Sequence, residues 1–160
     1  MLQFATWLSE TAISRYIQRE FWVIPTIQSL HILAIASLVS SQLFINLRLL
    51  GRAGVDAPLS AIADRYLPWF WGAALVLALS GTLLIVGEPK RELLSAPFWI
   101  KMALIPLGLL ATVWFGKALL HPDLSSPAST LKTRSIIYSL ATTVIWISVM
   151  TAGRLIAYVY

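Results

Sequence analysis

The chain has 160 residues, of which 58% are hydrophobic and 12% charged, whereas soluble domains average about 45–50% apolar and about 25% charged. A water-soluble domain of this size would lack the polar residues to cover its surface, so the composition predicts an integral membrane protein. The net charge of +5 comes from basic residues that lie between apolar runs, which argues against nucleic-acid binding. Because cysteine is absent, thiol catalysis, disulfides and iron–sulfur ligation are excluded.

The first segment, residues 2–19, has apolar side chains at a helical spacing on one face and polar side chains on the other. It is too polar to span a bilayer, so we expect an amphipathic helix that lies in the membrane interface. It does not resemble a signal peptide, because no basic residues precede its apolar positions and Glu10 and Arg15 interrupt any apolar core.

Four apolar runs follow, and each is long enough to cross about 30 Å of hydrocarbon at about 1.5 Å per residue. The predicted spans are residues 21–47, 68–86, 98–120 and 133–158. Glycine and proline mark the loops, and the first loop contains a candidate short surface helix at residues 57–66. Short loops between successive spans predict an all-α, up-down-up-down four-helix bundle that forms a single membrane domain, residues 1–160.

Four spans place both termini on the same side of the membrane. Basic residues are slightly more numerous in the first and third loops than on the terminal side. The loop residues are Arg48, Arg52, Arg65, Lys132 and Arg134, against Arg15, Arg19, Lys90 and Arg91 on the terminal side. The positive-inside rule therefore predicts cytoplasmic loops and periplasmic termini in a bacterial inner membrane.

Polar side chains in the first span, Gln28, His31, Gln42 and Asn46, share one helical face. We expect this face to point into the bundle, where interhelical hydrogen bonding is the simplest role for these residues. His31 lies about ten residues into its span, hence about 15 Å deep and near the midplane. An imidazole there can ligate haem iron or copper, relay a proton, or bond to a neighbouring helix.

Three further residues lie either at a depth similar to that of His31 or between His31 and the membrane surface on the side of the termini. Lys101 and Arg154 sit within about two turns of a span end, where each can also snorkel to the interface. Met150 has a depth similar to that of His31, and filling of the core is its alternative role. The second histidine, His121, lies at the far end of the third span, so one chain with straight spans cannot form a bis-histidine haem site.

The stretch QSLHILAIASLVSSQLFINLRLLGR, with LPWFWGAALVLALSGTLL and FWIKMALIPLGLLATVWF, resembles a family of small bacterial inner-membrane proteins classed as a domain of unknown function. The resemblance covers most of the chain from about residue 20 and includes the Lys of the third span. It implies a glycine where this chain has Ser40 or Ser41, and an acid where it has Asn46. A fainter likeness links the chain to the membrane portion of copper-resistance proteins, which also place histidine in such spans.

Three functions fit these observations. The first is a membrane subunit associated with electron transfer, in which His31 ligates haem b or lies beside a quinone. Arg154 and Lys101 would then pair with haem propionates or a quinone oxygen, and Met150 is a candidate sixth ligand. The second is copper handling, with His31 as metal ligand beside Met150 and Met102.

The third function is a ligand-free accessory or scaffold subunit in a homo-oligomer or a larger membrane complex. The seven tryptophans and the small-residue helix faces would then contact partner chains and lipid. A stand-alone enzyme is not expected, because the spans contain no paired carboxylates and the sequence has no nucleophile elbow or zinc motif.

Overall fold

A computed structural model describes residues 1–120, 128–156 and 158 of the chain, and all regular structure within these residues is helical. His121, which the sequence places at the far end of the third span, lies outside the described residues. The helices are α1 (Leu2–Ser9), α2 (Ala12–Arg19), α3 (Val23–Leu49), α4 (Leu59–Gly87), α5 (Pro89–Leu93), α6 (Ala96–Phe115, continued by a π-helical turn at Gly116–Leu120) and α7 (Ala128–Leu155).

Four of these helices, α3, α4, α6 with its π-helical turn, and α7, are long and apolar enough to cross a membrane. Their outward faces carry exposed leucine and valine side chains, among them Leu33, Leu79, Leu110 and Val144. Such surfaces are stable when lipid covers them. The prediction of an all-α membrane bundle with four spanning helices is confirmed.

Helix α4 begins earlier than the sequence predicts, because residues 59–66 of the predicted surface helix continue into the second span as one helix that runs through Pro68. Proline inside a helix removes a backbone hydrogen bond and crowds the preceding turn. Ala63 and Phe70, on either side of the proline, are both fully buried, and Ala63 packs in one cluster with Ile45 of α3. Packing against α3 therefore offsets the local cost of Pro68.

The amphipathic segment 2–19 forms two helices rather than one. The Thr11 side chain accepts a hydrogen bond from the backbone N–H of Ser14 at 3.3 Å and so caps the start of α2. Ala5 of α1 is buried in a cluster with Leu93 and Phe98, at the end of the bundle where the termini lie. The two short helices therefore cover that end of the spans.

Helix α3 lies between α4 and α7 and runs antiparallel to both. Along α4, Ile45 shares a cluster with Ala63, whereas Leu38 shares one with Phe70. Along α7, the same Leu38 packs in the cluster that contains Trp146. The Phe70 and Trp146 rings, 5.8 Å apart between centroids, join α4 to α7 at the centre of the bundle.

Helix α6 packs against α7, also antiparallel. Phe115 stacks on Tyr138 with ring centroids 5.0 Å apart, and at the other end Phe98 shares a buried cluster with Ile156. Between these contacts, Gly108 lies against the indole ring of Trp146. Helix α3 is thus antiparallel to α4 and to α7, and α6 is antiparallel to α7. The four long helices therefore have the up-down-up-down arrangement.

Gly108 leaves no room for a side chain between α6 and α7, because a Cβ there would lie 2.8 Å from Cζ2 of Trp146. We expect Gly108→Ala to lower the free energy of unfolding in detergent by about 1–3 kcal/mol through overpacking. Tryptophan fluorescence during thermal or denaturant unfolding measures the change. Gly72→Ala is the matched control, because nothing lies within 4 Å of its added Cβ, and it should be neutral or stabilising.

Candidate functional site

His31 lies between α3 and α4, with 9% of its surface exposed, and its Nδ1 is 2.7 Å from the Ser80 hydroxyl of α4. Ser80 Oγ is also 2.6 Å from the carbonyl oxygen of Val76. Since a carbonyl only accepts and the hydroxyl has one proton, Ser80 donates to Val76 and accepts from Nδ1–H of His31. The lone pair of the neutral ring is then on Nε2, which can accept a hydrogen bond or bind a metal.

A small residue of α4 lies beside the His31 ring. A Cβ added at Gly81 would come within 3.6 Å of His31 Cε1, the carbon between the two ring nitrogens. A larger side chain at this position would extend past the Cβ and occupy the space next to the imidazole edge. Ser80 therefore orients the ring, and Gly81 is the α4 residue beside the Cε1 edge of it.

Lys101 of α6 lies at the same depth as His31. An added Cβ on Gly153 of α7 would be 3.8 Å from Lys101 Nζ. Gly153 follows Trp146 by seven residues and His31 precedes Leu38 by seven, while Trp146 and Leu38 share one buried cluster. In antiparallel helices of about 3.6 residues per turn, these equal offsets bring His31, Gly153 and the Lys101 amine to one level.

Glu92, in α5 at the membrane surface, is an acidic neighbour of Lys101. Burial raises the pKa of the Glu92 carboxyl above its ordinary value, and the positive charges of Lys101 and Arg91 oppose that shift. The Lys101 amine therefore lies beside Gly153, and its positive charge acts on the Glu92 carboxyl at the surface end of the bundle. The sequence offered only a weak signal for this pairing, since Glu92 is one of several charges in a loop.

The other two predicted site residues, Arg154 and Met150, lie on α7. Arg154 is exposed, and its Nη2 donates a hydrogen bond to the Tyr158 hydroxyl at 3.0 Å. Its guanidinium carbon lies 5.3 Å from the centroid of the same ring, so Tyr158 holds it on the outer face. Met150 is half-buried and precedes Gly153 by three residues, which places it about one turn deeper than the level of His31.

A polar cluster of five residues, Gln42, Asn46, Tyr138, Ser139 and Thr142, joins α3 to α7 on the other side of the bundle centre from His31. Gln42 Nε2 donates to Asn46 Oδ1 at 2.9 Å and to the Tyr138 hydroxyl at 3.0 Å. Asn46 Nδ2 donates to the Ser139 carbonyl at 3.2 Å and to Thr142 Oγ1 at 3.1 Å. The prediction that Gln42 and Asn46 hydrogen-bond a neighbouring helix is confirmed.

The polar cluster is incompletely paired. Among the described residues, Gln42 Oε1, Ser139 Oγ and Trp146 Nε1 are buried and have no hydrogen-bond partner. Gln42 is 2% exposed and Ser139 1% exposed. Buried polar atoms without partners cost free energy, so the net stabilisation from the cluster is smaller than the number of its bonds suggests.

The side chains near His31 determine which ligands a haem iron or a copper ion could have there. The described part of the chain contains no group of three or more His, Cys, Asp or Glu side chains placed to hold a metal ion. Iron or copper at His31 would draw on one imidazole and on the Met150 thioether about a turn deeper. Arg154, the predicted partner of a haem propionate, is exposed and bonds to the Tyr158 hydroxyl.

Residues 4–159 match a family described as "Family of unknown function (DUF6644)". The chain belongs to this family. The match extends over the interfacial helices α1 and α2 as well as the four spans, so the family pattern includes both parts of the fold. No curated protein and no solved structure matches the chain significantly. The predicted resemblance to a family of unknown function is confirmed, and the function has to be inferred from the geometry.

The polar cluster predicts a specific loss of stability. Asn46→Leu removes the hydrogen bonds of Asn46 to Gln42, to the Ser139 carbonyl and to Thr142, and we expect it to lower the free energy of unfolding by about 1–3 kcal/mol. Thr82→Val is the matched control, because its hydroxyl is exposed and bonds only its own helix at Ala78. That control should change stability by less than about 0.5 kcal/mol. Equal effects of the two substitutions would show that the polar cluster does not hold α3 to α7.

Proposed function

We propose that the protein is a membrane subunit associated with electron transfer, and that it binds the head group of a quinone or quinol beside His31. The observation that supports this proposal most is the fixed imidazole of His31, whose Nδ1 is engaged by Ser80 and whose Nε2 is left to accept. A quinol hydroxyl can donate to Nε2, and the oxygen of either form can accept from the Lys101 amine. The apolar surroundings suit the ring of such a ligand.

Two chemical roles follow for residues of this chain. His31 accepts a hydrogen bond from the ligand hydroxyl at Nε2 and so orients the ligand. The Lys101 amine lies beside Gly153, and its positive charge acts on Glu92 at the membrane surface. These residues would connect a buried ligand with the aqueous side on which the termini lie.

Haem b and copper are the alternative ligands at the same residue. The Nε2 of an imidazole whose other nitrogen is hydrogen-bonded is the usual metal-binding atom of histidine, and this favours His31 over Met150 as the first ligand. Met102, the third methionine considered for copper, packs against the cluster of Ala5, Leu93, Phe98 and Ile156. Copper would therefore depend on His31 and Met150.

An accessory role in a larger complex or a homo-oligomer is the second candidate function, and a specific surface favours it. An apolar groove of about 280 Å³ on α6 and α7 is lined by Pro97, Ile100, Ile147, Thr151 and Leu155, among others. Its apolar lining suits an acyl chain or the side chains of a neighbouring helix. For location, the charge bias of the loops supports a bacterial inner membrane with periplasmic termini.

Quinone binding tests the proposed function. We expect the purified protein to bind a short-chain benzoquinol, measured by quenching of tryptophan fluorescence. His31→Leu should weaken this binding about tenfold, because it removes one buried hydrogen bond worth about 1.4 kcal/mol. Arg154→Gln is the matched control and should bind as the unchanged protein does, since Arg154 faces Tyr158.

Three results would contradict the quinone proposal. Equal binding by the protein and its His31→Leu variant would place the ligand elsewhere. A Soret band that shifts on dithionite reduction and is lost in His31→Ala would instead identify haem as the ligand. Copper that copurifies with the protein and is lost in the same variant would identify copper handling.

A further inference from the structure

An open groove of about 490 Å³ lies at the end of the bundle where the termini are, and we call it the interface groove. Ser9, Gln18, Ile24, Lys90 and Arg91 are among its lining residues. We propose that the interface groove binds an anionic phospholipid whose head group carries free hydroxyls. This inference is independent of the proposed function at His31.

The interface groove lies at the depth of lipid head groups. Ile24 is at the start of the first span and Gly87 is the last residue of the second, and both line the groove. Helix α2 contributes Gln18 to the groove and packs against α4 through Ile17, because a Cβ on Gly87 would lie 2.9 Å from Ile17 Cγ2. The apolar side chain of Ile24 in the groove lining suits the start of an acyl chain.

The charge of the interface groove matches one phosphodiester. Arg91 Nη1 is 2.8 Å from Glu88 Oε2, so these two side chains neutralise each other. Lys90 is exposed, and among the described residues no carboxylate forms an ion pair with it. One positive charge remains, which attracts a monoanionic phosphate and repels the quaternary ammonium of a choline head group.

Two oxygens of residues that line the same groove are available to accept hydrogen bonds. Gln18 Nε2 donates to Ser14 Oγ at 2.8 Å, which leaves the Gln18 amide oxygen as an acceptor. The Ser9 hydroxyl donates to the Thr6 carbonyl at 2.7 Å, so its lone pairs can also accept. The Lys90 amine can therefore pair with a lipid phosphate, and the oxygens of Gln18 and Ser9 can accept from hydroxyls attached to it, as in a glycerol head group.

Lipid titration of the purified, detergent-solubilised protein tests the inference, with bound lipid counted by native mass spectrometry. We expect phosphatidylglycerol to bind more tightly than phosphatidylcholine, and more tightly than phosphatidylmethanol, which has the same charge but no free hydroxyl. Lys90→Gln should weaken phosphatidylglycerol binding about fivefold, the factor that corresponds to the ~1 kcal/mol of one basic residue near an anionic surface. Gln18→Leu should reduce the difference in affinity between phosphatidylglycerol and phosphatidylmethanol.

Lys132→Gln is the matched control, because Lys132 is an exposed basic residue on α7 at the opposite end of the bundle. It should leave phosphatidylglycerol binding unchanged. The inference is overturned if Lys90→Gln binds phosphatidylglycerol as the unchanged protein does, or if Lys132→Gln weakens binding equally. Equal affinity of the unchanged protein for phosphatidylglycerol and phosphatidylmethanol would overturn the inference that the groove recognises the free hydroxyls of the head group.

Discussion

Side-chain hydrogen bonds that α3 makes to both of its neighbours hold this bundle in one arrangement. Within hydrocarbon a polar side chain has no water to bond, so its partner must come from another helix or its own backbone. His31 finds Ser80 on α4, and Asn46 finds Thr142 on α7. The two contacts lie on either side of Leu38, which packs against both neighbours. Rotating or sliding α3 would break both contacts, and α6 then follows from its packing against α7.

The architecture follows from composition because apolar length alone identifies spans in a bilayer. Helix ends depend on contacts that the sequence does not display. The sequence places Pro68 at the start of a span, but burial of Ala63 and Phe70 against α3 continues the helix through it. The break between α1 and α2 depends on the Thr11 cap, a signal present in the sequence but weaker than the apolar period around it.

The site could be predicted only in part. The depth of His31 follows from counting along its span, and Lys101 reaches the same level. The partner of His31 could not be predicted, because Ser80 becomes its neighbour only once α3 and α4 are paired in register. Arg154 shares a helical face with Met150 in the sequence, yet Tyr158, four residues on, holds it outside. A helical period indicates which residues share a face but does not show what that face contacts.

Ser80 fixes the proton of His31 on Nδ1 and leaves Nε2 as the acceptor for a ligand. Nitrogen-15 NMR of imidazole-labelled protein in lipid tests this tautomer directly, and His121→Gln leaves His31 as the one labelled ring of the two histidines. We expect a protonated Nδ1 and an unprotonated Nε2, a mixture of tautomers in Ser80→Ala, and a shift of the Nε2 signal when quinol is added. A protonated Nε2 in the unchanged protein would contradict this tautomer, because His31 would then offer the ligand no acceptor.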